Sequence, residues 1–140
     1  MTDHVNFHFD IDGENFTSAG EASVRIKKNL REMGFSPEII RRVSVAMYEG
    51  EINMVIHANG GTADVDIYCD HIEIILADRG PGISDIDLAM QEGYSTAPED
   101  VRSLGFGAGM GLPNMKRYTD DMKIESQVGV GTTIYMTVLV

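Results

Sequence analysis

Val5, Phe7 and Phe9 alternate with Asn6, His8 and Asp10, the period-two pattern of a strand with one buried face, and Asp12-Gly13 marks a turn behind it. Further on the period changes. Ala22, Ile26, Leu30 and Met33 recur at helical spacing up to Gly34, and Ser18 with Glu21 three residues later reads as a capping box that starts this helix. Ser36-Pro37 supplies an N-cap and a first-turn proline for a second, longer helix. In it Ile39, Ile40, Val43, Ala46 and Met47 lead on toward Ile56 and Ala58, before Asn59-Gly60-Gly61 stops the run. Alternation returns from Ala63 to Tyr68, and His71 to Ala77 is the return strand of a hairpin that turns near Cys69 and Asp70. From Arg79 to Gly111 glycines, prolines and scattered charges interrupt any period, apart from a short helical stretch at Asp87 to Gln91. Loops beyond ~12–15 residues are usually lids, binding loops or disordered, so this length is a functional hint. A short helix over Leu112 to Tyr118 opens straight out of glycines, and Met122 to Ser126 with Thr132 to Leu139 forms a closing hairpin around Gly129-Val130-Gly131. Early helices, late strands and a terminal hairpin predict an α+β fold. We expect a two-layer sandwich whose mixed, mostly antiparallel sheet carries helices on one face, in preference to a Rossmann fold.

Composition narrows the class. The 140 residues are 43% hydrophobic and 24% charged, which provides one core and predicts a single domain over 1–140. Twenty-two acidic against eleven basic residues give a net charge of -11, a field that repels nucleic acid and anionic lipid. No apolar run approaches the ~20 residues that span a bilayer, and MTDHVNFHFDID lacks the segments of a signal peptide, so no membrane partner and a cytoplasmic location are expected. Cys69 is the single cysteine, which excludes an internal disulfide and a Cys-rich zinc site.

Three clusters carry candidate chemistry. Glu49, Asn53 and His57 stand four residues apart on one helical stripe, where a carboxylate can position a hydroxyl and a carboxamide oxygen one turn later can take a hard cation such as Mg²⁺. A solvated helix face has the same spacing. Asp78-Arg79-Gly80-Pro81-Gly82 follows an apolar strand, so Asp78 can accept from a base amine at the strand end while Gly80 and Gly82 admit a flat ligand; a plain strand-to-loop turn reads alike. Gly105-Phe106-Gly107-Ala108-Gly109-Met110-Gly111-Leu112 runs directly into a helix and offers successive backbone N–H groups to phosphate oxygens. It lacks the Walker lysine and does not sit in a βαβ unit, and a flexible linker is its bland alternative. Gly131-Thr132-Thr133 adds a hydroxyl at the start of the last strand. Glu51, two residues from Glu49, faces another side of the helix.

In this order, the helix stripe, the D-x-G-x-G, the long loop, the glycine run and the final G-T resemble the Bergerat-fold (GHKL) ATP-binding superfamily, which includes gyrase, histidine kinases and MutL. Within it, GYSTAPEDVRSLGFGAGMGLPNMKRYTDD and IESQVGVGTTI look most like the anti-sigma-factor serine/threonine kinases, especially the switch kinase of the stressosome. The resemblance implies an ATP lid over roughly 83–110, Glu49 as catalytic base and Asn53 as the Mg²⁺ ligand. It groups Asn53, His57, Asp78, Gly80, Gly82, Gly105, Gly107, Gly109, Met110, Gly111, Leu112 and Thr132 around ATP. It further implies transfer of the γ-phosphoryl group to a serine or threonine of a small STAS-type regulatory partner, and it allows a homodimer. A nucleotide-gated binder that sequesters a sigma factor without transfer, and a detached histidine-kinase domain, are the competing readings.

Overall fold

The computed structural model describes residues 4–12, 20–57, 60–80, 82, 90 and 111–140. Five strands, β1 (Val5–Asp12), β2 (Gly60–Ile67), β3 (His71–Asp78), β4 (Asp121–Gln127) and β5 (Gly131–Leu139), form one sheet in the order β1-β2-β3-β5-β4. Every neighbouring pair is antiparallel, in keeping with the mostly antiparallel sheet expected from sequence, and no parallel pair among the described residues makes it mixed. The reason is the return path. The chain leaves the sheet after Asp78, comes back at the outer edge as β4, and turns through a hairpin so that β5 runs against β3.

Helices α1 (Glu21–Glu32), α2 (Pro37–His57) and α3 (Gly111–Arg117) cover one face, with α1 and α3 both packed on α2. Inward-facing Val65, Ile72, Ile74, Leu76, Met136 and Val138 meet Ile26, Leu30, Val43, Met47 and Met115, all buried in one cluster. This is the usual solution for an antiparallel sheet: one face is packed and the other is wetted. The alternation read in β1 holds, with Phe7, Phe9 and Ile11 against the core and His8, Asp10 and Asp12 exposed.

The ends of the helices test the cap signals. Ile39 N–H donates to Ser36 Oγ at 3.3 Å, so the Ser36-Pro37 start of α2 is as read. After α1, Phe35 N–H bonds Leu30 O and Gly34 N–H bonds Arg31 O, the paired closure of a Schellman motif. The capping box fails: Glu21 is the first helical residue, Gly20 is the N-cap, and no side chain of the cap bonds the helix. The orphan N–H groups are met from α2, as described below. Gly60 and Gly61, read as a helix stop, already belong to β2, where Gly61 lies so close to the Ala77 carbonyl that a Cβ would strike it. Ser18, Gly13 and, apart from Met90, the Asp87 to Gln91 helix and the 83–110 lid lie outside the described residues.

Candidate functional site

Glu49 and Asn53 are half-buried on the stripe of α2 that meets α3. Helix α3 docks antiparallel to α2: Gly111 rests on Asn53, Asn114 reaches Glu49 one turn back, and Met115 packs by Gly50. A Cβ on Gly111 would stand 2.9 Å from both Oδ1 and Nδ2 of Asn53, so a side chain there would push the carboxamide out of its present place. Asn114 Nδ2 donates to Glu49 Oε1 at 3.4 Å. Leu112, a predicted ligand residue, is 8% exposed and belongs to the core cluster, so its side chain anchors α3 and only its backbone is available to a ligand.

Asp78 ends β3 on the side of the sheet that faces the helices, two residues beyond Leu76, which lies under Gly50 of α2. Its Oδ1 accepts Gly80 N–H at 2.9 Å and Thr132 N–H at 3.1 Å. Thr132 is buried and its hydroxyl pairs with Ser126 Oγ at 2.8 Å. Gly82, at φ 80°, tucks against the Gln127 carbonyl and Val128, so a side chain there would meet backbone as well as an unfavourable torsion. The strand end, the D-x-G-x-G and the final G-T thus form one corner, held by the β3–β5 register that sets Ala77 opposite Thr133.

Of the sequence candidates, the structure brings together Glu49, Asn53 and Gly111 in one group, and Asp78, Gly80, Gly82 and Thr132 in a second. Gly50 over Leu76 joins the two. His57 closes α2, but its side chain, like Gly105, Gly107, Gly109 and Met110, lies outside the described residues. Among the described residues no group of three His, Cys, Asp or Glu side chains is arranged to hold a metal, so any Mg²⁺ here would rest on few protein oxygens, such as Asn53 Oδ1, and on phosphates.

Two residues, Ser126 and Asn114, were missed, and for a third, Glu51, only the face of the helix was read and not its role. Ser126 was legible in principle, because the predicted hairpin sets it opposite Thr132. Asn114 carried no periodic signal. Glu51 is 2% exposed and accepts N–H bonds from Gly20 at 3.0 Å, Ala22 at 3.2 Å and Ser23 at 2.6 Å. Burial pushes its carboxyl above the ordinary value, partly offset by those three N–H groups. It is the missing cap of α1.

Comparison with known proteins places the chain in a family and matches its fold. The histidine kinase-like ATPase domain family matches residues 15–138. The chain is 33% identical over 108 residues to the serine/threonine-protein kinase RsbT of Bacillus subtilis, covering 74% of this chain and 75% of that one. It is 28% identical over 142 residues to the anti-sigma F factor of Shouchella clausii, covering 97% and 92%. The fold superposes with a TM-score of 0.66 and 17% identity on the RsbU and RsbW domains of Rv1364c from Mycobacterium tuberculosis, covering 96% of this chain and 32% of that longer one.

Proposed function

Because the chain belongs to the histidine kinase-like ATPase domain family, we propose that it is an ATP-dependent serine/threonine kinase of the anti-sigma regulatory type. It would act in the cytoplasm on a small STAS-like partner, and the chemistry asks for no more than one copy of the chain although a homodimer would accommodate it. The observation that carries this reading is the docking of α3 on α2, which sets the last glycine of the run on Asn53 and the following turn on Glu49.

The residues divide the work. Asp78 takes the adenine amine, with Gly80, Gly82 and Thr132 shaping that corner. Both ends of the 83–110 segment are tied to the site, at Gly82 and at Gly111, which supports its role as the lid. Backbone N–H groups of Gly105, Gly107, Gly109 and Met110 through Gly111 and Leu112 would hold the phosphates, with His57 at the end of the same helical stripe. Asn53 Oδ1 is the hard oxygen suited to Mg²⁺, which when bound neutralises phosphate charge. Glu49 accepts the proton of the partner's hydroxyl as its oxygen bonds to the γ-phosphorus, and the bond from that phosphorus to the bridging oxygen breaks to release ADP.

Glu49→Gln keeps the shape and removes the base. Phosphoryl transfer from labelled ATP to the partner is expected to fall by about 10²- to 10⁴-fold with ATP affinity unchanged; undiminished transfer overturns the assignment. The anti-sigma F relative, matched over 97% of this chain, supports a second reading: nucleotide-gated sequestration of a sigma factor. A stoichiometric complex with no label on either protein selects it.

A further inference from the structure

Asn114 is half-buried between two partners of opposite character. Arg117 Nη1 donates to its Oδ1 at 3.2 Å, and its Nδ2 donates to Glu49 Oε1 at 3.4 Å. A guanidinium can only donate and an ionised carboxylate can only accept, so the carboxamide has one orientation that satisfies both. The positive end at Arg117 also polarises the amide and strengthens the N–H that faces Glu49. Asn114 lies one helical turn beyond Gly111, which itself bears on Asn53.

We propose that Asn114 is a positioning residue for phosphoryl transfer: held by Arg117, it engages Oε1 of Glu49 and fixes the rotamer in which the other carboxylate oxygen receives the hydroxyl proton. This inference rests on Glu49 being the base of the proposed kinase. Its consequence is that the base is oriented only when α3 is docked, so the element that follows the phosphate-contacting glycines also sets the catalytic carboxylate.

The test uses the full chain in its ADP–Mg²⁺ complex, with two variants and two readouts. In Asn114→Asp a second carboxylate faces Glu49, and the midpoint of the Glu49 side-chain ¹³C titration is expected to rise by about one pH unit. The acid limb of the pH–kcat profile moves upward with it. In Asn114→Leu, similar in size but without the donor, kcat for phosphorylation of an unmodified STAS-domain partner is expected to fall about 10- to 100-fold with KM for ATP unchanged. ADP binding by both variants establishes that they fold. An unmoved Glu49 midpoint, or a loss shared between kcat and KM for ATP, overturns the positioning role while leaving the kinase reading intact. Absence of transfer by the unsubstituted protein overturns the kinase reading, and the inference with it.

Discussion

Glu49 and Glu51 are two residues apart on α2 and about 200° apart around its axis, and their surroundings give them different work. Glu49 is half-buried beside Asn114, whereas Glu51 is sealed against the first turn of α1 and accepts three of its backbone N–H groups. These donors are among the four that every helix leaves unpaired at its start, and a carboxylate there also complements the helix dipole. Glu51→Ala strands them in the interior and leaves a cavity. We expect a loss of about 2–4 kcal/mol in urea unfolding; a loss below about 0.5 kcal/mol, the range of a neutral surface change, contradicts the cap. The sequence pattern pointed to Ser18 and Glu21 instead. A capping box is a local signal, while the actual cap comes from 28 to 31 residues away and has no signature in the segment it caps.

At the scale of elements, α2 organises the site, because it packs on α1, on α3 and on the sheet. Gly50 permits that closeness. A glycine inside a helix costs about 1 kcal/mol relative to alanine, but here a Cβ would collide with Cδ1 of the buried Leu76 and approach Met115 Sδ. Overpacking of a filled core costs about 1–3 kcal/mol. Gly50→Ala is therefore expected to lower stability despite its better propensity, and to weaken nucleotide binding by lifting α2 off β3 and α3. A higher melting temperature in Gly50→Ala would show the contact to be slack. The register of this packing, Gly111 on Asn53 and Asn114 on Glu49, could not be read from periodicity, which tells which stripe of a helix is apolar but not what lies across from it.

Among the described residues the sheet has a packed face and an open one, and three histidines lie at the open side beside carboxylates. His8 Nδ1 lies 2.8 Å from Asp64 and its Nε2 3.3 Å from Asp10; His71 lies 2.6 Å from Asp70 and 3.3 Å from Glu73; His4 lies 3.4 Å from Asp66. The hydrogen bond to Asp64 holds His8 above its ordinary 6.5, and the bond to Asp70 does the same for His71. A group whose pKa is raised on folding binds its proton more tightly in the folded state. These pairs therefore contribute fully below about 6.5 and lose their contribution as pH rises through the raised values. His8 is exposed and His71 half-buried at the sheet surface, so solvent keeps the effect small. In a proton–nitrogen NMR titration, Asp64→Asn should move the His8 midpoint down toward 6.5 while leaving His71 in place. An unshifted His8 would mean that Asp64 is not its partner.

The order of elements, the inward stripes of both long helices, the Ser36 cap and the closing hairpin were legible along the chain, because each depends on spacing within one segment, whereas Glu49, Asn53, Asp78 and Thr132 stood out as a set only through the order of their motifs. Tertiary structure alone decided the all-antiparallel sheet, the cap that Glu51 gives α1, the contact of Gly50 with Leu76 and the reach of Asn114 to Glu49. Those features join residues that one-dimensional periodicity never compares. Their energies arise only when two elements pack together, through excluded volume at a glycine or through a hydrogen bond between groups that burial has taken from water.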